Sequence, residues 1–242
     1  MDRRNSQTES SFIESDLLQI QLAPNYTQWV LSLISQHLGK RILEIGSGVG
    51  TLTARLLKQA EMVCALEPNP YCVSRLKADL AEYSQLVVLN KSLEDCAPCE
   101  FDSYRFDTLL CCNVLEHIKD DLRALRTFRE ILARHGGKVI LWLPAVPSAY
   151  GPIDKAVGHY RRYSRDGILA MVRNAGMRPV TSRYSNIAGL LGWLVNAHIR
   201  RCTAQSDSQI LLFNRLVPFL SLVEKVIPPP IGMSLLVVAE VK

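Results

Sequence analysis

An α/β fold built on a mostly parallel sheet is what this 242-residue sequence predicts, and three observations lead there. Apolar runs of strand length alternate with segments of helical spacing from Arg41 to Leu143. The first run empties into a glycine-rich turn, Gly46-Ser47-Gly48-Val49-Gly50. A last apolar run, Leu235 to Val241, arrives only after two long apolar helical stretches. Strands joined by helical crossovers imply parallel pairing with helices on both faces. The expectation is seven strands, mostly parallel, with an apolar helical insertion before the last.

In chain order, the polar residues 1–11 are expected to be a disordered lead, and 12–242 to form one domain. Residues 12–38 read as a helical cap, broken at Ala23-Pro24-Asn25. Strands follow at Arg41–Ile45, Met62–Leu66, Leu86–Leu89, Phe106–Cys112 and Lys138–Leu143. Helices are expected over Thr51–Gln59, Pro70–Tyr83 and Asp120–Arg134, and the segment from Ser92 to Ser103 reads as irregular. Gly136-Gly137 offers a left-handed helix stop after the third of these helices. Residues 145–163 form a loop rich in Pro, Gly, Tyr and Arg, then a helix capped by Ser164 runs to a stop at Gly176. Arg178 to Tyr184 is a sixth strand, and 186–230 the helical insertion.

Composition excludes several classes. Hydrophobic residues at 48% and charged residues at 21% are an ordinary globular balance. The net charge of +5 comes from 28 basic against 23 acidic residues spread along the chain. Nucleic-acid binders gather positive charge on one face or tail, so no nucleic-acid partner is expected. Seven cysteines are an odd number, and Cys96-Ala-Pro-Cys99 lacks the second pair of a zinc site. No metal site and a reducing, cytoplasmic setting are expected. The N-terminus lacks a signal peptide's apolar stretch, and no run approaches the ~20 apolar residues that span a bilayer.

The chemistry starts at the glycine turn. Glycine reaches positive φ and leaves no Cβ between backbone and ligand, a device that dinucleotide-binding folds share. Two details argue against a dinucleotide. Glu44, at the strand end before the first glycine, can hold positive charge but would repel a pyrophosphate. Thr51 stands where the dinucleotide fingerprint needs its third glycine. Glu67 closes the second strand, about 20 residues beyond the turn, where a carboxylate can accept from ribose hydroxyls.

The segments ILEIGSGVGTLT, ALEPNP, FDTLLCCNVLEHI and GGKVILWLP, in this order, resemble the motifs of class I S-adenosylmethionine-dependent methyltransferases, with a Rossmann-like sheet. The resemblance covers roughly residues 24–183. It implies S-adenosylmethionine as cofactor, with Gly46, Ser47 and Gly48 facing its methionine and ribose parts. Glu67, with Pro68 beside it, would hold the ribose, Ser92 and Leu93 would edge the adenine, and Asn113 would lie near the methionine part. Many relatives carry an Asp near Ser92-Leu93-Glu94, and here it is replaced. Tyr26, in Pro24-Asn25-Tyr26-Thr27-Gln28-Trp29, either closes over the cofactor or pins its helix to the sheet, while Trp29 reads as packing.

Ligands of parallel α/β sheets bind beyond the carboxyl ends of the strands, which directs attention to the loop 145–163. GPIDKAVGHYRRYS resembles a subgroup associated with polysaccharide or secondary-metabolite tailoring. His159 is the candidate general base, since imidazole titrates near neutrality; its alternative is a histidine that bonds its own loop. Tyr150, Tyr160, Arg161 and Tyr163 are candidate acceptor contacts, with Arg161 and Arg162 able instead to tie the loop to Asp154. His117 reads as part of a helix-start network.

The expected partner is a small-molecule acceptor, a secondary metabolite or sugar-containing intermediate, methylated at O or N. A peptide or lipid acceptor, or a non-catalytic role as an S-adenosylmethionine-binding regulator, is the alternative. Insertion 186–230 fits packing over the sheet, a lid for a hydrophobic acceptor, a membrane-surface contact or a homodimer face; the chain itself is expected to be a monomer or homodimer.

Overall fold

The computed structural model describes residues 22–199, 202, 204 and 206–242, with the side chains of 198 and 199 left aside. The lead expected at 1–11, the helical piece expected from Phe12 and the Arg200-Arg201 pair lie outside the described residues.

Seven strands form one sheet: β1 (Arg41–Ile45), β2 (Met62–Leu66), β3 (Leu86–Leu89), β4 (Thr108–Cys112), β5 (Gly137–Pro144), β6 (Arg178–Ser185) and β7 (Ser234–Val241). Their spatial order is β3-β2-β1-β4-β5-β7-β6. β1 to β5 pair in parallel, while β7 runs antiparallel between β5 and β6. Alternation along the strands divides the core in two, because successive strand residues face opposite ways. Leu43, Leu109, Cys111, Val139 and Leu141 belong to one cluster; Ile42, Val63, Leu110, Ile140 and Trp142 belong to the other.

The helices covering these faces begin where the sequence supplies a cap. α1 (Pro24–Ile34), α2 (Thr53–Leu56) and α3 (Pro70–Asp79) contribute to the second cluster, with Asn69 accepting from Tyr71 N–H at 2.9 Å to start α3. α4 (Asp121–Leu132) buries Leu125, Phe128 and Leu132 in the first cluster; Asp120 caps it by accepting from Arg123 N–H. α5 (Pro152–Ala156) lies in the loop after β5, and α6 (Arg165–Asn174) starts at Ser164, whose hydroxyl accepts from Gly167 N–H. Gly176, at φ 82°, ends it.

Three expectations shift. Helix Thr51–Gln59 is regular only over α2, because bonds of i→i−3 type take over at Arg55, Lys58 and Gln59. The irregular stretch after Ser92 is two 3-10 segments, Leu93–Asp95 and Pro98–Tyr104. β4 starts at Thr108 instead of Phe106, since the Asp107 carboxylate turns aside to accept from Lys40 and Arg41 N–H.

The expected insertion is present as α7 (Ile187–Leu194), extended by a π-turn, and α8 (Asp207–Val226). Glu224 of α8, buried, accepts from Asn186 and Ile187 N–H at 2.9 Å and so satisfies the start of α7. Pro218 inside α8 has no N–H for the Asn214 carbonyl four residues earlier. Asn25 Nδ2 donates to that carbonyl at 3.0 Å, and Asn214 Oδ1 accepts from Asn25 and Tyr26 N–H. α1 has no side-chain cap of its own; α8 provides one. Leu212, Leu216, Phe219 and Leu222 of α8 face outward. Among the described residues, no helix is long and apolar enough to cross a membrane.

Candidate cofactor and acceptor site

The parallel strands deliver their carboxyl ends to one edge of the sheet, and the sequence motifs meet there. The glycine turn hangs from β2: Gly46 N–H donates to Leu66 O at 2.8 Å. Gly46, Gly48 and Gly50 all take positive φ, at 67°, 54° and 85°. At Gly46 a Cβ would also collide with the Val114 side chain, so the turn after β4 packs directly under the glycine turn.

Glu67 ties this turn down. One carboxylate oxygen accepts from Gly48 N–H at 2.8 Å, the other from Asn69 N–H at 2.9 Å. Burial pushes its pKa up, against those two backbone bonds. Asn90, which the sequence did not single out, donates to the Glu67 and Pro68 carbonyls at 2.9 Å and holds the Glu67-Pro68 corner. Glu44 is buried, accepts from Thr53 Oγ1 at 2.6 Å and has its pKa raised to about 7, by burial first and then by the Glu67 charge. Ser47 Oγ is buried with no hydrogen-bond partner among the described residues.

Two buried acids, glycine backbone open to close approach and an orphaned hydroxyl fit a ligand that carries an ammonium group, a sulfonium and ribose hydroxyls. On the adenine side the fit is backbone at most. Ser92 Oγ is engaged with Asp95 at 2.7 Å and the Leu93 side chain lies in the core. Asn113 is exposed, with left-handed φ 52° and its N–H on Trp142 O. Tyr26 hydroxyl meets Ser234 Oγ at 3.2 Å, and its ring contacts Trp29 and Phe213; it stands in the wedge between α1, α8 and the start of β7.

The loop after β5 is organised around Asp154, fully buried in α5. It accepts from Arg162 Nε at 2.8 and 3.0 Å, from His159 Nδ1 at 2.8 Å and from Gly151 N–H at 2.9 Å. Burial opposes its charge, but His159 and Arg162 hold the carboxyl below its usual range. Arg162 also lies over the Trp193 ring of α7 at 4.2 Å. Tyr163 is in the core with its hydroxyl on Asp121, and Arg161 is engaged by Asp121 and by the Lys119 carbonyl. Tyr150 donates to the His159 carbonyl, leaving Tyr160 as the exposed ring of the loop.

Across from His159 stands a residue the sequence left without a role. Glu116, on the 3-10 turn Leu115–His117, is fully buried, and among the described residues neither carboxylate oxygen has a hydrogen-bond partner. Its Oε1 lies 3.9 Å from His159 Nε2. Burial lifts its pKa to about 7 despite the attraction of His159. His117 meets the His159 ring edge-on with centroids 4.7 Å apart. Desolvation and His159 draw the His117 pKa down to about 4, a drop that its open solvent face tempers. No linear spacing announces this Glu116-His117-His159 group; the fold assembles it from two loops 42 residues apart.

The fold is one shared with S-adenosylmethionine-dependent methyltransferases of known structure. Residues 43–139 match the family model described as "Methyltransferase domain". Among solved structures, the 1,6-didemethyltoxoflavin-N1-methyltransferase of Burkholderia thailandensis superposes with a TM-score of 0.60 at 16% identity, over 96% of this chain and 88% of that one. That enzyme was crystallised with its acceptor and S-adenosylhomocysteine. A methyltransferase of Mesorhizobium loti gives 0.57 at 16% identity, over 84% and 92%. Among curated relatives, the ubiquinone biosynthesis O-methyltransferase of Vibrio vulnificus is 31% identical over 121 residues, 49% of this chain and 50% of that protein. The protein of the same name from Xanthomonas euvesicatoria is 29% identical over 154 residues, 58% and 63%. The chain thus spans half to just under two thirds of the length of these two relatives.

Proposed function

We propose that this chain moves a methyl group from S-adenosylmethionine to an oxygen of a small hydroxylated acceptor. The observation that carries this reading is the Glu67 carboxylate clamped to Gly48 of the glycine turn, beside the buried, unpartnered Ser47 hydroxyl. When bound, S-adenosylmethionine supplies a sulfonium-activated methyl that replaces the acceptor's hydroxyl proton and leaves S-adenosylhomocysteine. The chain's own work is alignment and exclusion of water. Glu44 faces the ammonium end, Glu67 accepts from the ribose, and Asn113 with the turn after it marks where the acceptor meets the methyl.

Oxygen is favoured over nitrogen by Glu116 facing His159 at 3.9 Å, on the turn whose Val114 packs against Gly46. A neutral amine needs no help with its charge, whereas a hydroxyl must lose a proton. The relatives' role in ubiquinone biosynthesis supports a hydroxylated aromatic acceptor; a sugar hydroxyl or another secondary metabolite fits the same chemistry. Tyr160, exposed on the loop, is the candidate acceptor contact. His159 has Nδ1 committed to Asp154, so Nε2 is the ring nitrogen turned toward Glu116.

Calorimetric titration with S-adenosylhomocysteine and, separately, NADH tests the reading. The product should bind, NADH should not, and Glu67→Gln should weaken the product about tenfold or more, the worth of a charged hydrogen bond. Preference for NADH, or unchanged affinity in Glu67→Gln, would overturn it. Methyl transfer to amines but to no phenol or sugar would overturn the choice of oxygen.

A further inference from the structure

We infer that Glu116, His117 and His159 bind a divalent transition-metal ion of the Zn2+ type beside the glycine turn. Each offers one ligand atom, and the three atoms lie within 4.8 Å of one another. Two imidazoles and one carboxylate are an established donor set for Zn2+ and its first-row neighbours. Around an ion bonded at about 2.0–2.1 Å, tetrahedral ligand atoms stand roughly 3.3 Å apart. The 3.9 Å between His159 Nε2 and Glu116 Oε1 therefore closes with a movement of about half an ångström.

Two independent observations point to a cation there. The first is Glu116 itself, fully buried with both oxygens unpartnered among the described residues. A buried carboxylate is costly unless something compensates it. Asp154 already engages Arg162, and among the described residues the His159 imidazole at 3.9 Å is the one ion-pair partner found for Glu116. The second is the support behind His159. Asp154 accepts from Nδ1 at 2.8 Å and is itself locked by Arg162. This fixes the tautomer in which Nε2 carries a free lone pair, the carboxylate–histidine–metal arrangement that orients metal ligands. His117, with an exposed face, leaves a route for the ion and an open coordination position.

The location gives the ion a task. Val114, two residues before Glu116, packs against Gly46, so the turn that carries Glu116 and His117 also supports the glycine turn, and the open position suits an acceptor hydroxyl. This task rests on the methyltransferase reading, whereas the binding of metal does not.

The test uses tag-free, chelator-stripped full-length protein titrated with Co2+ and Zn2+, with S-adenosylhomocysteine calorimetry on the same preparation. One Co2+ per chain should bind with a visible d–d band and be displaced by Zn2+. Glu116→Gln and His117→Asn should each weaken it about tenfold or more; the latter changes an exposed side chain and guards against a merely misfolded Glu116 variant. Absence of Co2+ binding, equal affinity in both variants, or a thiolate charge-transfer band placing the ion on cysteine overturns the inference. Product binding without metal binding would sink this inference alone; metal binding without product binding would sink the methyltransferase reading alone.

Discussion

At the scale of single residues, two acids beside the glycine turn are buried away from water. Glu44 illustrates the energetic consequence. Its folded pKa of about 7 stands above the ordinary 4.5, so the folded state holds a proton that the unfolded chain has given up. Stability from this group is present below 4.5 and is lost as pH rises through about 7. Thermal melts of the ligand-free protein should therefore show wild type losing ground to Glu44→Gln across that window. A difference between the two that does not change with pH would mean that Glu44 is ionised in the fold. Both acids were legible in the sequence, since each closes a buried strand at a fixed distance from the glycines. Asn90 was not legible, because an Asn after a strand carries no mark of which carbonyls it will reach.

Among the elements, α1 and α8 show a helix end satisfied from elsewhere. α1 opens on Ala23-Pro24, with no capping side chain, and by local rules it should fray. Asn214 instead receives its first N–H groups, while Pro218 frees the Asn214 carbonyl for Asn25 Nδ2. Asn214→Ala should cost about 1 kcal/mol in denaturant unfolding. A double-mutant cycle with Asn25→Ala should give a coupling of at least about 0.5 kcal/mol; additive effects would show that the pair is incidental. Strand boundaries were legible to within a residue or two where apolar runs were short and bounded. α2 was overextended from sequence because leucine spacing persists after the hydrogen bonds have tightened.

Across the whole molecule, Asp154 and Arg162 connect three regions: the loop after β5, the Glu116 turn through His159, and α7 through Trp193. Removing one member of a buried pair strands the other charge, at about 3–5 kcal/mol. Asp154→Asn should show a loss of that order in chemical denaturation, with hydrogen-exchange protection falling together in 145–163 and Ile187–Leu194. Loss confined to the loop would mean that α7 docks independently. The sequence marked the loop as unusual by its crowd of His, Arg and Tyr. It allowed that Arg161 and Arg162 tie the loop to Asp154, as Arg162 does, but not that Arg161 and Tyr163 both go to Asp121.

The sequence by itself determined the α/β class, the seven strands with a late closing strand, the glycine turn and the two acids around it. Those features follow from local periodicity and from residues within one strand–turn–helix unit, where spacing in the chain is spacing in the fold. Tertiary structure alone decided the cap that α8 lends to α1, and the meeting of Glu116 and His117 with His159. Their partners are far apart in the chain and are brought together only when β4 and β5 pair side by side.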